Sequence, residues 1–255
     1  MISNQAFIHP DAKIGKNVEI GPFTAITGDV EIGEGTWIGP NVTIMDGARI
    51  GSGCKIFPGA VISAIPQDLK YQGEVTKAVI GNNTIIRECV TINKGTSDRM
   101  KTSVGNNCLL MAYVHIAHDA SVGNNCIIAN TANIAGHVII EDFVVIEGVV
   151  AIQQFIRIGQ HSFLAGGSMV RKNVPPFIKA AREPVSFVGV NSIGLRRRGF
   201  NVETIGQIED LYRTLYVHNR NLSEALKIAD LELPNTNEKR VVLDFIKASD
   251  KGIIR

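Results

Sequence analysis

The sequence predicts a mainly β chain, a parallel β-helix of six-residue repeats followed by a helical domain, and three observations lead there. Stepping by six from Ile8 to Val170 visits 28 positions, of which 25 are Ile, Val or Leu. Random placement of the 70 such residues among 255 would give about eight matches, so composition does not explain the pattern. Twenty-five glycines stand against ten Phe, four Tyr and one Trp, a balance that suits tight corners better than a core of large rings. The period then changes after Pro175 and Pro176.

From Ile8 to Ile62 ten isoleucines share one phase without a miss. The residue two before each is small or slim (Ala12, Val18, Thr24, Val30), and a period of two inside a period of six means short strands. Gly often follows the aliphatic (Gly15, Gly21, Gly33, Gly81, Gly105), and Asn, Asp or Gly stands two further on (Asn17, Asp29, Gly35, Asn41, Asn83), so both sets read as corners that tolerate positive φ. Three strands and three corners close one coil of 18 residues. About 25 hexads make roughly eight coils, a prism roughly 40 Å long at the usual strand spacing.

The three misses in phase, Asp68, Glu74 and Asp98, fall in segments 63–78 and 93–103, which read as loops ejected from the prism. Loops on a rigid scaffold are where binding groups gather, and function is assigned to the first loop only. The repeat resumes at Val104 and runs to Val170, so residues 1–174 are assigned to the prism and 175–255 to the helical domain. There, Asn201 is a candidate N-cap for a helix over 201–218, Ser223 lies in a second helical pattern, and a third follows Pro234.

A net charge of +2 provides no global field for nucleic acid, and no run approaches the length of a transmembrane helix. The N-terminal MISNQAFIHPDAK lacks a basic-then-apolar leader, so a soluble cytoplasmic protein is expected. The four cysteines form no C-x-x-C pair and read as reduced thiols, with Cys108 and Cys126 filling inward positions.

Residues 18 apart stack on one face, which turns sequence into geometry. His118, Gly136 and Gln154 form one column, Asp119, His137 and Phe155 a second, His115 and Asn133 a third. His115 and His118 should point outward, gathering three of the chain's six histidines within two coils. A neutral imidazole at His118 can accept a hydroxyl proton, with Asp119 fixing its tautomer, and Gly136 lets a backbone N–H approach a carbonyl oxygen. That pairing suits acyl transfer from a thioester to a hydroxyl. Zinc bound by three histidines is the alternative reading, disfavoured because Asp119 stacks beside His137. An ice-binding ladder would need outward threonines, whereas Thr24 and Thr36 fall at inward positions.

With HIAHD at 115–119, AGH at 135–137, QDLKY at 67–71 and NSIGLRRRGF at 191–200, nearly the whole chain resembles the UDP-N-acetylglucosamine O-acyltransferase family of lipid A synthesis. The resemblance implies a left-handed coil, a homotrimer with sites between neighbouring prisms, and transfer of a 3-hydroxyacyl chain from acyl carrier protein to the 3-hydroxyl of UDP-N-acetylglucosamine, without metal or other cofactor. It implies His118 as general base and Gly136 as the oxyanion donor. It places Asp68, Lys70, His115, His137 and Gln154 on the sugar nucleotide, Asn191, Arg197 and Arg198 on the nucleotide from the tail, and Gly166 at the acyl-chain ruler. Gln153 and Ile193 depart from the family's usual His and acidic residue. The sister N-acyltransferase and the serine acetyltransferases carry a domain ahead of the prism, for which hexads starting at residue 8 leave no room. Lys179, Arg182, Arg196, Arg197 and Arg198 form a basic cluster suited to an acidic carrier protein or a pyrophosphate.

Overall fold

Three parallel sheets wall a triangular prism in the structure, a computed structural model that describes residues 1–218 and 221–255. Most strands are two residues long, and each chain turn contributes one strand to each sheet. Pairing runs at 18-residue register, as in His115 with Asn133 and Asn133 with Ala151. The ejected loops lengthen two steps of the ladder: Ile62 pairs with Ile92, and Ile92 with Ile116. In both cases the aliphatic phase is kept.

The aliphatic of each hexad faces inward. Ile26, Ile38, Ile44, Ile56, Ile62 and Ile86 are fully buried, and the slim residue two before each fills the space beside it. Where that residue is Thr or Cys its polar atom is used. The Thr24 hydroxyl donates to the Gly39 carbonyl at 2.8 Å and accepts from the Val42 N–H, so the narrow core holds no unpaired hydroxyl at that level.

The two glycine sets separate on geometry. Asn17, Gly35, Asn41, Asn83, Asn107 and Asn125 occupy left-handed corners as expected, but Asp29 does not. The glycines directly after the aliphatic also lie outside that region, for a different reason. A Cβ on Gly81 would sit 2.6 Å from the Gly105 carbonyl carbon, so coil-to-coil spacing, not φ, excludes a side chain. Corners also force bulky residues into positive φ, among them Asp119 (59°), His137 (62°) and His161 (60°).

The sheets do not stop at the prolines. Ile178–Ala181 pairs in parallel with Phe163–Leu164 and antiparallel with Ser186–Val190, so the tail begins as an extension of one prism wall. Helices α1 (Ser192–Arg197), α2 (Val202–Arg213), α3 (Leu222–Glu232) and α4 (Asn237–Lys247) follow, with a π-helical turn at Thr214–His218. Asn201 caps α2 as predicted; Asn221, not Ser223, caps α3, and Thr236 caps α4. The helices dock on the prism end through the Tyr212 hydroxyl, 2.6 Å from the Pro176 carbonyl, and the Arg157 guanidinium over the Phe245 ring.

Candidate active site

The corner after strand His115–Ile116 gathers the cluster of titratable side chains. His118 and Asp119 sit there, Gly136 and His137 one coil on, Gln154 and Phe155 a further coil on. The stacking is direct: His137 N–H donates to the His118 carbonyl at 3.2 Å, and Phe155 N–H to the Gly136 carbonyl at 3.3 Å.

His118 points away from the prism axis, yet it is only 5% exposed, and Asp119 is fully buried. The open histidine face expected from periodicity is therefore roofed, and loop 93–103 is part of the roof. The His118 Nδ1–H donates to Asp119 Oδ2 at 2.9 Å, which leaves Nε2 as the free, basic nitrogen. Gly136 packs against the imidazole so closely that a Cβ would stand 2.7 Å from Cε1 and 2.8 Å from Nε2. From loop 63–78, Asp68 places Oδ2 3.8 Å from Nε2, while its Oδ1 accepts the Lys70 N–H.

Burial pushes the Asp119 carboxyl up, but hydrogen bonds from Thr96 and His118 outweigh it and hold the group below its ordinary range. Asp119 Oδ2 accepts the Thr96 hydroxyl at 2.6 Å; Oδ1 accepts the N–H groups of Thr96 (3.0 Å) and Arg99 (3.3 Å). Loop 93–103, to which sequence reading assigns no function, thus supplies donors to the same cluster that Asp68 of the first loop approaches. Thr96 and Arg99 carry no periodic signal and were missed; the single hint was the break in phase at Asp98.

His137 sits between two carboxylates, its Nδ1 3.0 Å from Asp98 Oδ2 in an ion-pair contact outside hydrogen-bond geometry, its Nε2 3.9 Å from Asp119 Oδ2. Its ring stacks on Phe155 at 4.5 Å. Burial lowers its pKa, opposed by Asp119, with a net downward shift. His115 is held below its usual range by burial and then by His118, and its Nδ1 lies 2.7 Å from the Thr91 hydroxyl, a partner sequence reading also missed. His118, Asp119 and His137 bring donor atoms within 4.8 Å, a spacing a cation could span. The Asp119 oxygens, however, are already taken by N–H and O–H donors, which suits an acid–base site better than a metal site.

Of the remaining predicted residues, two lie near the cluster and the others at different corners. Lys70 and Gln154 are exposed beside the cluster. Gly166 is exposed three coils on from His115, at the corner beside Met169, the end of the outward column His115, Asn133, Ala151, Met169. Asn191, Arg197 and Arg198 are at a different corner of the prism, that of Phe143, His161 and Phe177. There the Asn191 amide donates to the His161 carbonyl at 2.9 Å and its oxygen caps α1 through Gly194 N–H, while Arg198 lies 5.6 Å over the Phe143 ring. Arg197 is exposed.

Residues 173–254 match the family described as UDP N-acetylglucosamine O-acyltransferase, domain 2, and residues 29–64 and 101–136 match bacterial transferase hexapeptide (six repeats). The chain is 44% identical over 252 residues to the acyl-(acyl-carrier-protein)–UDP-N-acetylglucosamine O-acyltransferase of Stenotrophomonas maltophilia (strain R551-3), covering 98% of this chain and 96% of the relative. Among solved structures it is similar to a UDP-N-acetylglucosamine acyltransferase from Bacteroides fragilis 9343, at 50% identity and TM-score 0.99 over the whole of both chains. The UDP-N-acetylglucosamine acyltransferase of Arabidopsis is similar at 31% identity and TM-score 0.88, again over the whole of both.

Proposed function

This chain belongs to the UDP-N-acetylglucosamine O-acyltransferase family, a left-handed parallel β-helix with C-terminal helices, and from that premise we propose how its own residues carry the reaction. It transfers a 3-hydroxyacyl group from acyl carrier protein to the 3-hydroxyl of UDP-N-acetylglucosamine, the first step of lipid A synthesis. The observation that carries the mechanism is the His118–Asp119 pair at 2.9 Å, with the imidazole packed on Gly136.

His118 Nε2 takes the proton of the sugar 3-hydroxyl as that oxygen attacks the thioester carbonyl. Asp119 orients the ring and stabilises the imidazolium that forms. The tetrahedral oxyanion is met by the Gly136 N–H. Collapse breaks the carbon–sulfur bond, and the departing carrier-protein sulfur takes the proton back from His118. Asp68 and Lys70 on the first loop, with His115, His137 and Gln154, hold the sugar nucleotide. The acyl chain lies along the outward column from His115 to Met169 and meets Gly166 at the far corner.

Asn191, Arg197 and Arg198 occupy a different corner from His118 of the same chain, so a homotrimer with sites between prisms is the assembly that unites them. Arg197 and Arg198 then face the nucleotide, and Asn191 holds α1 in place. Among the described residues no helix is long and apolar enough to cross a membrane, and we place the reaction in the cytoplasm. The test is His118→Ala, assayed with hydroxyacyl carrier protein and UDP-N-acetylglucosamine. Transfer is abolished while the thermal transition and oligomeric state persist; near-parent turnover by the folded variant refutes the mechanism.

A further inference from the structure

Loop 93–103 interrupts a repeat that otherwise runs unbroken from Lys77, yet its buried end converges on one acceptor. Four donors close on the Asp119 carboxylate, three of them from this loop: the Thr96 hydroxyl at 2.6 Å, the Thr96 N–H at 3.0 Å and the Arg99 N–H at 3.3 Å. The fourth is His118 Nδ1–H. The loop also grips the Asp119 backbone, with Arg99 Nη1 3.3 Å from its carbonyl oxygen and its N–H donating to the Thr102 hydroxyl at 2.8 Å. Thr96 is 8% exposed, so these bonds are made away from bulk water.

We propose that Thr96 is a positioning residue for acyl transfer: its hydroxyl, by sharing Asp119 Oδ2 with His118, fixes the carboxylate rotation and thereby the aim of the catalytic imidazole. This inference rests on the general-base reading of His118. The torsion that spins a carboxylate is broad and roughly two-fold, so a single partner leaves its lone pairs poorly directed. Donors on both oxygens restrict that rotation, and the Thr96 hydroxyl, at 2.6 Å, is the shortest of them and the one that shares Oδ2 with His118. Thr96 also draws charge from the oxygen that faces His118, which limits how firmly Asp119 holds a proton on the ring and lets the base return to its neutral form. The charged and titratable groups facing this pair are Asp68 from the first loop, His115 on the strand before the corner, His137 one coil on, and Asp98 and Arg99 on the second loop.

The neck of the loop does not depend on this hydroxyl, whose one other bond within the loop is the Asp98 N–H it accepts at 3.3 Å. The neck is closed by Thr76 Oγ1 donating to the Gly95 carbonyl at 2.6 Å, Gly95 N–H to Lys77 O at 3.1 Å, and Lys77 N–H to Met100 O at 3.0 Å. None of these involves the Thr96 side chain.

The experiment compares Thr96→Val, Thr96→Ser and His118→Ala in the full chain, measuring kcat and KM for UDP-N-acetylglucosamine across pH, with thermal transitions. Thr96→Val is expected to lower kcat roughly tenfold or more, the scale of losing one hydrogen bond to a charged group. KM for the sugar nucleotide stays within about twofold, because the lost contact acts on the base and not on the substrate. The acid limb of the pH–rate profile moves to higher pH, since an Asp119 with one donor fewer holds the proton on His118 more firmly, and Thr96→Ser restores rate and profile. A Val variant whose kcat and profile superimpose on the parent overturns the proposal. So does a Ser variant as slow as the Val variant, or a slow Val variant with an unmoved acid limb, either of which assigns Thr96 to scaffolding alone. Turnover by His118→Ala would sink the general-base reading itself; an inactive His118→Ala beside a parent-like Thr96→Val sinks only the Thr96 role.

Discussion

Gly136→Ala tests the aim of His118 without touching any group that donates or accepts a proton. The added methyl would stand 2.7 Å from His118 Cε1 and 2.8 Å from Nε2, whereas carbon atoms in contact rest at roughly 3.5–4.0 Å. The imidazole must therefore retreat by about 0.8 Å or more. It cannot simply swing aside, because Nδ1 is bound to Asp119 and Asp119 is clamped by the second loop. The backbone tolerates alanine, since Gly136 lies outside the left-handed region, and the Gly136 N–H is retained. A misplacement of about 1 Å in a reacting group costs on the order of 100-fold in rate, so kcat should fall roughly 30- to 100-fold. Stability should barely move: the stiffer unfolded chain contributes about 0.4–1 kcal/mol, and an off-rotamer His118 costs about 0.5–1.5 kcal/mol. Steady-state transfer to UDP-N-acetylglucosamine and a thermal melt read both quantities. Parent-like kcat with an unchanged melt would show that His118 needs no such placement, and the proposed role of the 118–136 contact would fall.

Two further substitutions address the helical end. Burial first, and then Arg198, against the pull of Asp142, push His161 down to about 4. The unfolded chain takes up this proton as pH falls through the ordinary value of 6.5, while the folded chain waits until about 4, so stability present at neutral pH is lost across that window. His161→Phe, which suits a ring stacked between Phe143 and Phe177, should flatten the fall of Tm between pH 6.5 and 4; equal slopes for parent and variant would contradict this account. Lys239 is buried, and its Nζ donates to the Asp230 and Leu233 carbonyls at 3.0 and 2.9 Å, closing the end of α3 from α4. Lys239→Met should cost about 1–3 kcal/mol in chemical denaturation because it strands both carbonyls; no loss would show that water replaces the ammonium.

The sequence by itself determined the prism, the inward aliphatic of every coil and the columns that stack His118 under Gly136, because each follows from a local period that the strand ladder repeats without reference to anything distant. The Asn201 cap was equally legible, since a cap is decided within four residues. Only the tertiary structure decided that Asp119 is sealed from water, because the loop that seals it is aperiodic and its donors Thr96 and Arg99 lie 23 and 20 residues away in the chain. It also decided why Gly81 carries no side chain, a collision with the next coil that no φ preference anticipates. It turned Asn191 inward to cap α1 and carried one prism wall past the prolines, where Ile178–Ala181 found an open strand edge to pair with. A repeat fixes register through short-range sterics; what closes over that register depends on contacts between segments whose spacing the repeat does not encode.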